Sequence, residues 1–136
     1  MKFKKRLLQG SLIKRYKRFF VDIQYQNKTI TAHCPNSGSM LCLLNKGNTV
    51  WFSESDNPKR KLKYTLEIIK ANNNLVGINT LLTNKIVLEA LEKKKIKNLI
   101  KFNNIKTESK YSTNTRFDFL ISNAKKNAFL KSKMLL

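Results

Sequence analysis

From Ser11 to about Asn79, apolar and polar residues alternate over short stretches separated by turn formers, the period expected of strands. Leu12-Ile13, Tyr16, Phe19-Phe20-Val21 and Ile23 fall in one extended run that alternates partly with Lys and Arg. Asn27-Lys28 is expected to turn the chain, and Thr29 to His33 to resume it. Pro35 and Gly38 mark a loop, Lys46-Gly47-Asn48 a turn, and Thr49 to Ser53 a short strand around Trp51. Along Lys61 to Lys70, Leu62, Tyr64, Leu66 and Ile68 occupy one side, and Lys61, Lys63, Thr65 and Glu67 the other. Asn72-Asn73-Asn74 leads into a last strand, Leu75 to Ile78. Five short strands with polar turns predict a small barrel or sandwich.

At Asn79-Thr80 the period changes. Leu82, Ile86, Ala90 and Leu91 recur at helical spacing with Leu81 and Val87 beside them, which predicts a helix to about Lys95 capped by Thr80 or Thr83. Strands are expected at Lys106 to Lys110 and Arg116 to Ile121, with a final run at Ala128 to Leu130. The fold class is therefore α+β: a β-domain over residues 1–79, then a helix and short strands over 80–136.

Charge adds the strongest functional signal. The chain carries 28 Lys+Arg against 8 Asp+Glu, a formal net charge of +20, which favours a polyanionic partner through counterion release. Drift towards Lys and Asn in an A+T-rich coding sequence would enrich the same residues without any ligand: there are 23 Lys and 16 Asn but 5 Arg. No apolar run approaches the roughly 20 residues that cross a bilayer, and no basic amphipathic helix offers a bulky apolar face. No membrane partner is expected, and the missing signal-peptide pattern predicts a cytoplasmic protein.

Two segments carry the candidate contacts. Arg15-Tyr16-Lys17-Arg18-Phe19 interleaves cations for phosphates with rings that could stack on bases. Asn57-Pro58-Lys59-Arg60-Lys61 is a denser basic loop near Trp51. Arg15, Lys17, Arg18, Lys59, Arg60 and Lys61 are the expected phosphate contacts, and Phe19 and Trp51 the candidate stacking residues; solvated cations and core aromatics would produce the same pattern. His33, Cys34 and Cys42 lack the fourth ligand of a structural zinc site and are expected to be ordinary side chains. Ser37-Gly38-Ser39 lacks the flanking glycines of a nucleophile elbow, and no phosphate-cradling glycine motif occurs.

Ordered motifs over nearly the whole chain carry a resemblance. Besides the Arg15 segment they are His33-Cys34-Pro35-Asn36-Ser37-Gly38-Ser39-Met40, Val50-Trp51-Phe52-Ser53 and Ser55-Asp56-Asn57-Pro58-Lys59-Arg60-Lys61. Tyr64-Thr65-Leu66-Glu67, Gly77-Ile78-Asn79-Thr80, Glu108-Ser109-Lys110-Tyr111 and Arg116-Phe117-Asp118-Phe119 continue the series. Together they resemble the sugar fermentation stimulation protein (SfsA) family. The resemblance implies an OB-like N-terminal barrel, a following domain similar to PD-(D/E)xK nucleases, DNA binding, and a regulatory role in sugar metabolism. Family members follow the Arg-x-Asp-Phe strand with one ending in Glu-x-Lys. Here Lys131 stands at the carboxylate position and Lys133 at the lysine, so the resemblance implies an incomplete site, a C-terminally truncated member, and no nuclease activity. Asp118 and Glu108 are the remnant metal-ligand candidates, and no cofactor is expected unless Mg²⁺ finds them sufficient. The expectation is largely non-specific DNA binding; a Mg²⁺-dependent nuclease and a decayed, non-functional remnant are the alternatives.

Overall fold

The computed structural model describes residues 1–110 and 116–133, apart from the side chains of Ser109 and Lys110. Tyr111, the last residue of one motif, lies outside the described residues. The chain divides into two compact units, Lys2–Thr80 and the segment from Leu81.

In the first unit, β1 (Leu8–Tyr16), β2 (Phe20–Tyr25), β3 (Lys28–His33), β4 (Thr49–Glu54), β5 (Tyr64–Ala71) and β6 (Asn74–Gly77) form one sheet in the order β3-β2-β1-β4-β5-β6. A parallel pairing of Ala32 and His33 with Tyr64 and Thr65 joins β3 to β5 and closes five of these strands into a barrel. Closure leaves those five without an open edge. This is an OB-type barrel, with β6 added beside β5. Gly10 lets β1 lie between its two neighbours: a Cβ there would stand 2.6 Å from Ile23 Cγ2 and 2.7 Å from the Gln24 carbonyl.

The core is the inner face of this barrel. Leu12, Val21, Ile23, Val50, Phe52, Leu66 and Ile69 are all buried, joined by Cys34, Met40 and Leu43 from the β3–β4 connection. Phe52 meets Tyr25 and Tyr64 edge-on, each with ring centroids 5.3 Å apart, an arrangement that suits the ring quadrupoles.

Two local patterns differ from the sequence expectation. The run from Leu12 to Ile23 is two strands, because Lys17-Arg18-Phe19 forms a turn closed by the Tyr16–Phe20 pair. Lys17 and Arg18 take positive φ, 47° and 64°, a conformation the sequence does not announce because neither residue is Gly or Asn. The alternation along β5 also shifts phase. Trp51 pairs with Ile68 but Phe52 with Leu66, so Glu67 is an extra residue on β5. Leu66 and Ile69 both reach the core in consequence, while Thr65 and Glu67, expected on a polar face, are buried too. Lys61 and Lys63 belong to the loop before β5 rather than to the strand.

Among the described residues the second unit has one α-helix, α1 (Thr83–Glu92), and an antiparallel sheet of β7 (Asn104–Lys110), β8 (Arg116–Ser122) and β9 (Asn127–Leu130) in that order. The helix ends earlier than expected, and neither threonine caps it: Leu82 occupies the N-cap with no side-chain hydrogen bond. Leu91 is buried with Phe119 and Ile121, and Val87 and Leu88 pack beside them, whereas Ile86 and Leu81 are exposed. No helix among the described residues is long and apolar enough to cross a membrane.

Candidate nucleic-acid interface

The two basic segments are the β1–β2 turn and the β4–β5 loop. One row across the barrel links them: Tyr16 pairs with Phe20, Phe20 with His33, and His33 with Thr65. Val21 and Ala32 point into the core, so Phe20 and His33 stand on the outer surface of β2 and β3. Tyr16 and Phe20 stack with centroids 5.5 Å apart, which supports the turn from below. Arg60 reaches back over the row and donates from Nη2 to Thr65 Oγ1 at 3.0 Å. Burial lowers the His33 pKa from its usual 6.5, and the nearby Arg60 charge lowers it further.

Lys17, Arg18 and Phe19 are exposed on the turn, and Lys59, Arg60 and Lys61 on the loop. An open cleft of about 380 Å³ lies beside the turn, bordered by Tyr16, Lys17, Arg18, Ser37 and Ser39. The loop holds its own shape. Ser55 N–H donates to the Lys63 carbonyl, Asn57 N–H to Ser55 Oγ, and Lys59 N–H to Asn57 Oδ1, at 2.8, 3.1 and 3.0 Å. Such local side-chain bonds fix a turn without strand pairing.

Arg15 stands apart from this set. Its guanidinium donates from Nε to the Arg18 carbonyl at 2.6 Å, from Nη1 to that of Gly38 at 2.7 Å, and from Nη2 to that of Asn36 at 2.5 Å. Those three carbonyls engage every nitrogen of the group, so Arg15 clamps the turn to the β3–β4 connection instead of presenting a free cation to phosphate. Trp51 also sits elsewhere. It is half-buried on the outer side of β4, between buried Val50 and Phe52, three residues before the strand ends.

Pattern reading alone missed a second set of residues that hold the barrel's connections. Asn36, 3% exposed, donates to the Ile78 carbonyl at 2.9 Å and accepts from Gly38 N–H at 2.8 Å. Thr80 donates to the Pro35 carbonyl from both its backbone N–H and its hydroxyl. The Glu67 carboxylate accepts from Ser53 Oγ at 2.8 Å and from Asn79 Nδ2 at 2.9 Å, which satisfies the buried bulge. His33-Cys34 and Cys42 form no metal cluster: the buried Cys34 thiol lies 3.7 Å from Met40 sulfur and Cys42 is exposed. Burial pushes the Cys34 thiol pKa up, which keeps it protonated.

In the second unit the β7–β8 register sets Glu108 opposite Asp118, and the β8–β9 register, carried one residue past Leu130, sets Lys131 opposite Asp118. Asp118 accepts from Asn84 Nδ2 at 3.1 Å and from Ser132 N–H at 2.8 Å. Among the described residues no three His, Cys, Asp or Glu side chains gather as a metal site.

A closed OB-type barrel with two basic connections, followed by a small α+β unit, defines the class of protein. Family models agree in both halves: residues 13–78 match the SfsA N-terminal OB domain, and residues 81–135 the sugar fermentation stimulation protein RE domain. The chain belongs to the sugar fermentation stimulation protein family. It is 50% identical over 133 residues to a sugar fermentation stimulation protein homolog of Pelagibacter ubique, covering 98% of this chain and 57% of that relative. A homolog from Caulobacter vibrioides is 50% identical, over 85% of this chain and 49% of the relative. The chain thus spans about half the length of the curated relatives it matches. The structure of Pyrococcus furiosus SfsA in complex with Ca²⁺ has the same fold, with a TM-score of 0.80 at 21% identity, over 96% of this chain and 55% of that one.

Proposed function

We propose that this chain binds DNA, largely without sequence preference, through the outer surface of its barrel around His33. The observation that carries the proposal is the convergence of two separate basic segments: Lys17 and Arg18 on the β1–β2 turn, and Lys59, Arg60 and Lys61 on the β4–β5 loop, flank a single row of paired residues. These are the two loops with which OB barrels grip oligonucleotides beside strands 2 and 3. Exposed Phe19 offers a ring at the same place, and stacking on a base is sequence-tolerant. Phosphate contact supplies affinity but reads no sequence, which accounts for the non-specific character. A regulatory role in sugar metabolism, which the family's name suggests, would follow from where such binding occurs.

Metal-dependent cleavage is the less favoured function. The Pyrococcus structure contains Ca²⁺. Here Asp118 already accepts from Asn84 and Ser132, its register neighbour on one side is Lys131, and Glu108 is the only acidic residue set opposite it. A lysine beside this pair of carboxylates opposes a hard cation, which requires several oxygen ligands. On this ground we favour binding over metal-dependent cleavage.

The test is DNA binding by the purified chain against salt, on single- and double-stranded probes. Log affinity should fall linearly with log salt, with a slope near −0.9 per duplex phosphate neutralised. A flat response, or no binding at low salt, refutes the proposal.

A further inference from the structure

The segment before β1 carries Lys2, Lys4, Lys5 and Arg6, all exposed. It follows the end of β4, as the pairing of Leu8 with Phe52 and Gln9 with Trp51 requires of the residues just before them. It arrives beside the start of the same loop that bears Lys59, Arg60 and Lys61. Phe3, Lys4, Lys5 and Arg6 border a cleft of about 170 Å³ with Glu54 and Asp56. This is where the barrel's basic surface carries its own acids. Lys63 Nζ pairs with Glu54 at 3.0 Å, and Lys5 pairs with Asp56. Hydrogen bonding to Lys5 and its charge lower the Asp56 pKa, with a further contribution from Lys4.

We propose that Lys2–Arg6 is a third, N-terminal arm of the DNA surface, and that Asp56 is its internal counter-ion, displaced from Lys5 when a phosphate binds. The inference rests on the DNA-binding proposal and extends it to an element outside both loops. Lys5 and Asp56 are both far from buried, so their attraction is screened and exchangeable. A backbone phosphate presents the same charged oxygen chemistry as the carboxylate, and it releases condensed counterions that a carboxylate does not. Asp56 therefore competes with DNA for Lys5 and, once displaced, repels the incoming phosphate. Holding the arm in place before DNA arrives and weakening its contact afterwards are two effects of one residue.

The experiment compares four forms of the full chain by fluorescence anisotropy on a labelled duplex across salt concentrations: the wild type, Asp56→Asn, Glu92→Gln, and the combined Lys2→Gln, Lys4→Gln, Arg6→Gln variant. Glu92 lies on the exposed surface of α1, and its replacement changes the net charge by the same amount as Asp56→Asn. Asp56→Asn should bind about three- to tenfold tighter at low salt, with a slope close to the wild type's because Lys5 meets the same phosphate in both. Among the described residues Glu92 makes none of the ion pairs that hold the arm's cations, so Glu92→Gln should stay within about twofold of wild type. The arm variant should bind more weakly with a shallower slope. Circular dichroism on each variant separates lost folding from lost contact. Equal behaviour of Asp56→Asn and Glu92→Gln overturns the counter-ion role, and an arm variant with the wild-type slope overturns the arm. In both cases binding by the wild type itself survives. Failure of the wild type to bind at low salt overturns the DNA-binding proposal, and the arm with it.

Discussion

The barrel and the unit that follows it both carry family motifs but use them differently. In the barrel the motif residues close on one another. Asn36, Glu67, Asn79 and Thr80 bond to backbone or to each other, and Arg15 joins two connections through three carbonyls. Thirteen buried hydrophobic residues form its core, whereas Leu91, Phe119 and Ile121 are the buried ones in the second unit among the described residues. Phe129 and Ile86 there remain exposed at 36% and 46%. In the barrel, sequence identity is absorbed by architecture, and the residues left over for a ligand are the unremarkable lysines and arginines of two loops. In the second unit the motif residue Asp118 stays at the surface of a small core, and its environment rather than its presence decides what it can do.

Substitution of matched residues in the two cores separates the units most sharply. Phe52→Ala should cost about 3–5 kcal/mol, because it removes a fully buried ring that two tyrosines contact edge-on. Thermal unfolding would show it, and DNA binding should disappear with the fold. Phe119→Ala removes an equally buried ring from the second unit and should leave the barrel's melting transition and its DNA affinity close to wild type. Hydrogen exchange should accordingly be faster in β7 to β9 than in β1 to β5, as expected where few apolar groups are buried. Loss of DNA binding in a folded Phe119→Ala protein would show that the units do not act separately.

A smaller effect distinguishes two arginines three residues apart. Arg15→Ala orphans carbonyls of Arg18, Asn36 and Gly38, so it should destabilise the barrel by about 1–3 kcal/mol. Arg18→Ala removes a cation from an exposed turn and should change stability by less than about 0.5 kcal/mol while weakening DNA binding. Its salt slope should become shallower by about 0.9. Equal stability of the two variants, by chemical denaturation, would return Arg15 to the phosphate set.

What was legible in the sequence follows the same division between local and distant causes. Strand positions were visible because alternation is local: Lys28–His33 and Thr49–Glu54 fall almost where the pattern put them. Barrel closure was not, since the parallel join of His33 to Thr65 spans residues with no shared periodicity. The turn at Lys17-Arg18-Phe19 was hidden because cations and aromatics continued the alternation through it, and its shape depends on the Arg15 clamp. Glu67 looked like an outward residue because one inserted position inverts a period of two. On α1 the helical spacing of Leu82 and Ile86 was real, but Val87, Leu88 and Leu91 form the packed face. The basic loops were legible as charge; that they share a row was not.

The smallest effect is also the one that reports on that row directly. His33 is the only histidine in the chain, so its ring protons give one unambiguous signal to follow through a pH titration. Its folded pKa lies below 6.5, first because burial disfavours the cation and then because of Arg60. For a base whose folded pKa is depressed, the neutral form belongs to the folded state. The associated stability is therefore complete above pH 6.5 and is lost as pH falls through the folded pKa. A DNA phosphate placed on the row reverses the local field and favours the imidazolium. DNA should consequently raise the His33 pKa, and by linkage affinity should increase as pH falls from 7.5 towards 5.5 while the free protein becomes less stable. His33→Gln should abolish that part of the pH dependence and leave the salt slope at neutral pH almost unchanged. A His33 titration identical with and without saturating DNA would place the bound strand away from the row, even if Lys17 and Arg60 still contributed to binding.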